Sequence, residues 1–488
     1  MKKLWLAIFA LLALVCVFAA CEGEEVPHTH SFGEWREVTP ATCVANGEEA
    51  RQCDCGERET RTLAATGVHT YSEWSVIADA TCAAKGEEAR ACACGVRETR
   101  ELPMRTHAFA DGACGLCMAT QGLEYEAFGK DSYMLVGRGS ATATSIVIPA
   151  YHEGKPVVSI GEAAFEYCSD IVSVVIPDSV TDIDEWAFQN CASLSSVRIP
   201  STLKYMGEFA FYECYALTYT LLNGGKYLGN DENPYVCLTG VMDTGVTSFA
   251  IHNDTRILGT AAFGGCAALT SLTIPSGTTS IGAYAFSGCA SLTSLTIPAS
   301  VEDINADMFV GCTLLIQEEG GVYYVDKWVL SCDSALTDVS LRTDTIGISG
   351  SAFSDCAELA SITIPDSVLH VGHRAFSNCT LLLREEDGVY YVGKWAVGYN
   401  YENVATSFNL RADTVGIADY AFCNHGTLAS ITLPATLKSI GSISLAMCPA
   451  LTDIYFDGSE AQWSMIAKGR WWDIGADSYT VTYHNTNS

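Results

Sequence analysis

The sequence predicts a β-rich repeat solenoid with β-hairpin insertions, preceded by small β-rich Cys/His modules. Three observations predict it. First, AFGGCAALTSLTIP at 262–275 returns as AFSGCASLTSLTIP at 285–298, a shift of 23 residues; a fixed period of this length marks a stacked-repeat architecture. Second, a unit beginning HSFGEW at His30 returns as HTYSEW at His69, a shift of 39. Third, 488 residues that are 49% hydrophobic are too many for one ordinary core and too apolar to be disordered.

The N-terminal end comes first. Lys2 and Lys3 precede an apolar run from Leu4 to Phe18, the layout of a secretory leader. The run ends in Phe18-Ala19-Ala20-Cys21, which resembles the bacterial lipoprotein processing box. The resemblance implies cleavage after residue 20 and lipid attachment at Cys21, so the chain is expected on the extracellular face of a bacterial membrane, held there by acyl chains. No later run of about 20 apolar residues is present to span a bilayer. Residues 21–29 form a polar tether. The net charge of −30 opposes nucleic acid and anionic bilayer surfaces as partners and suits a soluble, monomeric exported protein.

Residues 30–120 hold the Cys/His modules. His30, Cys43, Cys53 and Cys55 of the first unit match His69, Cys82, Cys92 and Cys94 of the second, and a shorter third unit carries His107, Cys114 and Cys117. Gly47 and Gly86 lie between short alternating segments, as in β-hairpins. One His and three Cys per unit is the ligand count of a tetrahedral structural zinc site. Units this short need a metal or a disulfide to hold them. Zinc, disulfides and free thiols all remain open at this stage. Export favours disulfides, whereas an odd number of cysteines and the tight C-x-C spacing oppose them.

The solenoid is expected over 121–457. Phe165, Phe188, Phe211, Phe263, Phe286, Phe309, Phe353, Phe376 and Phe422 mark successive repeats, with a cysteine three residues after each except Phe422, which has His425. L-x-x-L-x-I-P reads as a strand with inward Leu and Ile, stopped by Pro. The cysteines read as small buried hydrophobes beside Phe. Outward strand positions such as Ser271 and Thr273, or Ser294 and Thr296, make a hydroxyl-rich face.

These repeats, with Ile176-Pro177, Ile199-Pro200, Ile274-Pro275, Ile297-Pro298, Ile364-Pro365 and Leu433-Pro434 each beside an A-F-x-x-C element or, at the last, its variants AFCNH and SLAMC, resemble the leucine-rich repeats of BspA-like bacterial surface proteins. The resemblance implies a curved, right-handed solenoid with one parallel sheet face. It also implies adhesion to extracellular matrix or to neighbouring cells.

The period breaks three times, and each gap ends in a degenerate strand, at 247–252, 337–342 and 406–411, where the usual Pro is His252, Arg342 or Arg411. The extra residues read as β-hairpins: GGKYLG at 224–229, GVYYVDKW at 321–328 and GVYYVGKW at 388–395. Their aromatic residues suggest a second function, glycan stacking, with Tyr324, Trp328, Tyr391 and Trp395 as candidate binding residues. A structural envelope role without a dedicated ligand is the third reading. The tryptophan-rich end, 458–488, reads as a solenoid cap. No motif of nucleotide binding, metalloprotease or serine hydrolase chemistry occurs, so no enzyme activity and no catalytic residue is expected.

Overall fold

The computed structural model describes residues 29–484 apart from 83, 111, 130, 403, 404, 477 and 478. The leader and Cys21 lie outside the described residues. The chain forms two compact units, one of residues 1–79 with 87–102 and one of residues 80–86 with 103–488.

The first unit contains two three-stranded antiparallel sheets, Arg36–Thr39, Gly47–Gln52 and Arg58–Leu63, then Ser75–Ala78, Gly86–Ala91 and Arg97–Leu102. The outer strands bury none of their residues, and the central ones bury only Gly47 in the first sheet and Gly86, Glu88 and Ala89 in the second. Charge and aromatic contacts take the place of a core. The guanidinium carbons of Arg51 and Arg61 lie 4.7 and 4.4 Å from the Trp35 ring centre, and those of Arg90 and Arg100 lie 4.7 and 4.3 Å from that of Trp74. Each arginine also pairs with a glutamate across the sheet, Arg51 with Glu59 and Arg61 with Glu49, and the second module repeats this with Glu98 and Glu88.

The second unit is the solenoid, and it carries two parallel columns of strands. The first column is the Leu-x-Ile segment, for example Ser271–Thr273 beside Ser294–Thr296, in register. Its alternation is as expected: Leu272 and Leu295 are buried, and the flanking Ser and Thr are exposed. The second column is narrower and comes from the S-I-G segment, for example Ile257–Leu258 beside Ser280–Ile281. A single sheet face was expected; the second column is additional, and its two-residue strands are too short to show a period of two.

Between the columns, each repeat stacks on the next. Phe165, Phe188 and Phe211 lie ring on ring at 5.1 and 5.0 Å, and Phe263, Phe286 and Phe309 at 5.8 and 5.6 Å. The cysteine thiols donate to the phenylalanine carbonyl of the preceding repeat, Cys191 to Phe165 at 3.1 Å and Cys289 to Phe263 at 3.2 Å. A-F-x-x-C is thus one device: the ring fills the column and the thiol ties adjacent turns. The solenoid cysteines are largely buried free thiols, as the spacing predicts.

The three insertions are three-stranded meanders rather than hairpins. In the second, Gln317–Glu319, Val322–Val325 and Trp328–Cys332 pair antiparallel, and the last strand joins the second column beside Gly347–Ile348. The additional strand in each begins before a turn with two left-handed residues, Asn223-Gly224, Gly320-Gly321 and Asp387-Gly388, the chemistry of a type I′ turn.

The meanders explain the missing prolines. The backbone N–H of Arg411 donates to the Tyr391 hydroxyl at 3.2 Å, and that of His252 to the Tyr227 hydroxyl at 3.4 Å. Proline has no N–H to give. The Arg411 and Arg342 guanidinium groups also lie over Tyr391 and Tyr324, at 4.3 and 4.1 Å.

Packing at the junction shows a volume exchange. Trp328 pairs with Gly347 and Trp395 with Gly416, where a Cβ would come within 2.3 Å of either indole. In the first meander the same pair is Cys237 and Ile257, small and large reversed.

The second column also brings distant repeats together. Arg470 donates to Asp182 at 2.8 Å and to Asp184, and lies over the rings of Tyr205 and Trp471. Burial pushes the Asp184 carboxyl up to about 6, against the pull of Arg470.

Candidate metal centres

The Cys/His residues form three groups whose ligand atoms lie within 4.8 Å of one another: His30, Cys53 and Cys55; Cys43, His69, Cys92 and Cys94; and Cys82, His107, Cys114 and Cys117. The partition differs from the one expected from the sequence. His30, Cys43, Cys53 and Cys55 do not meet as one set, nor do His69, Cys82, Cys92 and Cys94. The C-x-C pair and the single cysteine of a module belong to different groups.

Strand geometry explains the shift. Cys43 precedes the strand Gly47–Gln52, and Cys53 follows it. Six extended residues span roughly 20 Å, so the two cysteines sit at opposite ends of one strand. The third strand, Arg58–Leu63, then runs back, with Leu63 opposite Gly47. It returns the chain to the Cys43 end, where the next histidine, His69, begins the second module. The Thr66 N–H donates to the Thr42 carbonyl at 2.9 Å and closes this corner. The same corner recurs one module later, where the Arg105 N–H donates to the Thr81 carbonyl at 2.9 Å, and Cys82 meets His107. Each single cysteine therefore serves the following module.

Local turns aim the sulfurs. The Thr42 hydroxyl accepts from the Ala45 N–H at 2.9 Å, and Thr81 repeats this with Ala84, presenting Cys43 and Cys82 from tight loops. At the C-x-C turns, Gly56 and Gly95 are left-handed, with φ of 97° and 94°, and their N–H groups donate to Cys53 and Cys92 carbonyls. The backbone N–H of Cys94, with His69, lowers the Cys92 thiol to about 6, and that of Cys55 lowers Cys53 to about 7. Burial opposes ionisation of Cys114, but backbone N–H groups of Leu116 and Cys117 with His107 together outweigh it and lower that thiol to about 5. Burial and neighbouring thiols push Cys82 up to about 12, and Cys94 with burial pushes Cys43 up to about 11. Each four-residue group thus pairs a thiol that ionises readily with one that a cation would have to deprotonate.

The separations bear on the choice between metal and disulfide. Cys43 and Cys92 sulfurs are 3.7 Å apart, as are those of Cys82 and Cys114. A tetrahedron with zinc–sulfur bonds of about 2.3 Å has edges of about 3.8 Å, whereas a disulfide needs about 2.05 Å. Histidine Nδ1 is the atom that faces sulfur in every group, at 3.2 Å from Cys55, 3.3 Å from Cys94 and 3.4 Å from Cys117. These groups could hold a metal ion. The third was not among the expected ligand sets. A chain position alone suggested that it had three candidate ligands, because its fourth, Cys82, lies 25 residues upstream of His107.

The aromatic candidates fare differently. Tyr324, Trp328 and Tyr391 are 1% exposed and Trp395 is 2% exposed. All four are core residues, which corrects their reading as binding residues. The V-Y-Y-V segment is the middle strand of its meander and turns its second tyrosine inward under Arg342 or Arg411, while the indoles fill the space above Gly347 and Gly416. Tyr323 and Tyr390 are the more exposed of each pair.

Comparison with protein families matches six copies of the "BspA type Leucine rich repeat region", over residues 139–231, 242–319 and 398–464. The repeats of this chain are BspA-type leucine-rich repeats. Similar solved structures include a leucine rich cell surface protein from Faecalibacterium prausnitzii, 25% identical over 72% of this chain and 97% of that one, with a TM-score of 0.25. A leucine-rich repeat protein from Bacteroides ovatus is 21% identical over 75% and 99%, with a TM-score of 0.24. The Treponema pallidum leucine-rich repeat protein is 21% identical over 49% and 88%, with a TM-score of 0.26. A search of curated proteins finds no match. The BspA-type repeats here are the first-column strand with its A-F-x-x-C turn; none of the matched segments covers the Cys/His groups.

Proposed function

We propose that this BspA-type protein is a cell-surface lipoprotein, anchored through Cys21, whose solenoid binds extracellular protein on a host or neighbouring cell. The carrying observation is the first-column face. It runs through every segment of the solenoid, and its outward residues, such as Ser271, Thr273, Ser294, Thr296, Ser361 and Thr363, are exposed. A flat hydroxyl surface on a rigid scaffold suits a large partner. Structural zinc in the Cys/His modules stiffens the part of the chain next to the anchor. Glycan stacking on the meanders loses the four residues named for it, because Tyr324, Trp328, Tyr391 and Trp395 are core.

The test uses the chain from residue 22 onward, probed against matrix-protein and glycan arrays. Protein binding that falls when Ser271, Thr273, Ser294 and Thr296 are changed together to Lys, with the thermal transition unchanged, supports the reading. Binding untouched by that change places the surface elsewhere, and binding to neither array leaves the structural envelope role.

A further inference from the structure

We propose that the third Cys/His group binds one zinc ion and that this ion holds the loop that caps the first column of the solenoid at its N-terminal edge. The inference deepens the metal reading of the modules, on which it rests, and assigns the third centre a role that the other two do not have.

The group lies wholly in the solenoid unit. Cys82 belongs to residues 80–86, which cluster with 103–488 and not with the module sheets. Its own buried cluster is small. Cys82, Cys114 and Ala119 are the buried residues of a separate small cluster, and the remaining residue packed against them is Cys117. Three of these four residues are the candidate sulfur ligands. A core this small cannot hold a loop by burial, so a bound ion is the available source of order.

Two contacts then connect this loop to the first solenoid turn, one at each column. His107 Nε2 lies 3.0 Å from the Tyr151 carbonyl. A carbonyl only accepts, so Nε2 carries the proton, and the Nδ1 lone pair faces Cys117 at 3.4 Å. This is the arrangement of a metal-bound histidine fixed by a backbone carbonyl behind it. Tyr151–His152 pairs with Lys155–Ile160, a second-column strand. At the other column, the Thr120 N–H donates to the Val147 carbonyl and the Thr120 hydroxyl accepts from the Val147 N–H, both at 2.9 Å. Val147 ends Ser145–Val147, the first strand of the first column, and Thr120 sits three residues past Cys117. The metal loop therefore covers the starting edge of the first column and is tied to the hairpin that enters Lys155–Ile160, while the starting edge of the second column is covered by Tyr133–Gly137 and Glu124–Ala127. Solenoid ends need such covers, since an open parallel edge exposes unpaired backbone groups.

On binding, Zn²⁺ takes three sulfurs and one imidazole nitrogen, and the thiols of Cys82, Cys114 and Cys117 release their protons to solvent. No redox change is involved.

The experiment uses the chain from residue 22 onward, purified with zinc and reductant. Bound zinc is measured by mass spectrometry, and amide exchange is followed peptide by peptide, in the parent, Cys82→Ser and Cys43→Ser. Both variants should lose about one zinc per chain. Cys82→Ser should speed exchange over 145–160 by about tenfold or more, while Cys43→Ser leaves that segment unchanged. If Cys82→Ser is recovered poorly, graded chelation of the parent followed by zinc addition reads the same segment, and the loss of protection should reverse. A parent without zinc overturns the metal reading and this one with it. Zinc retained in full by Cys82→Ser overturns the ligand set. Zinc lost with exchange over 145–160 unchanged overturns the cap while leaving the metal reading intact.

Discussion

The modules and the solenoid hold themselves together in opposite ways. The solenoid stacks the same large apolar side chains on one another, so every repeat finds its partner in the next. The modules have exposed strands, arginine–tryptophan stacks and clustered thiols. One region spreads its stability over many equivalent contacts, and the other concentrates it on a few atoms. A perturbation aimed at sulfur should therefore separate them. With zinc bound, chelation under reducing conditions is expected to remove on the order of 10 kcal/mol from the modules. Near-ultraviolet circular dichroism of Trp35 and Trp74 should collapse, while the main solenoid transition stays in place. Loss of both signals together would mean that the two regions are not independent.

Inside the solenoid, the sharpest local test is the volume exchange. Trp328→Ala is expected to cost about 3–5 kcal/mol, since it empties a fully buried site. Gly347→Ile alone should also be severe, because even a Cβ would come within 2.3 Å of the indole. Made together with Trp328→Cys, it recreates the Cys237–Ile257 pair of the first meander. The double variant should be more stable than either single one, by a margin seen in urea unfolding. Simple additivity would show that the exchange is incidental.

How much of this was legible in the sequence follows the same division. The solenoid's phase, its inward Leu and Ile, its buried thiols and its degenerate strands were legible, because stacking equivalent residues requires a strict period. The second column was not, since two residues such as Ser280 and Ile281 carry no alternation. The first strand of each meander was signalled by Asn223-Gly224, Gly320-Gly321 and Asp387-Gly388, but the aromatic run after it drew the attention. Tyr324 and Trp328 were misread because V-Y-Y-V tells that the faces alternate and not which face is inward. The ligand residues of the modules were legible by type, but their grouping was not. It depends on strands that carry Cys43 and Cys53 to opposite ends, a consequence of pairing that a unit-by-unit reading misses.

The clasp at Arg470 tests the solenoid at a contact outside its repeat logic. Burial holds Asp184 at about 6, above the unfolded carboxyl near 3.9. A raised acid stabilises the fold in its protonated form. That contribution is complete below about pH 3.9 and is lost as the pH rises through about 6. Asp184→Asn removes this dependence and leaves Asp182 to pair with Arg470. Its stability relative to the parent should rise by about 1–3 kcal/mol between pH 4 and pH 7.5. A difference that is flat with pH would mean that the carboxyl is not buried as described.

The smallest expected effect concerns the backbone that every repeat shares. Two residues after the phenylalanine the chain is left-handed, with Gly265, Gly288, Asn378 and Asn424 at that place in four repeats. Tyr167 holds the same position at φ 59° and is exposed. A tyrosine there bears the steric cost of the left-handed region and packs little in return. Tyr167→Gly should therefore stabilise the solenoid, by about 0.5–1 kcal/mol once the greater freedom of glycine in the unfolded chain is set against the relief. The same change at Ala164, a buried neighbour outside the left-handed position, should destabilise it. Opposite signs for two substitutions three residues apart would show that backbone geometry sets this position. Equal losses at both would show that the exposed tyrosine packs against something that its burial does not reveal.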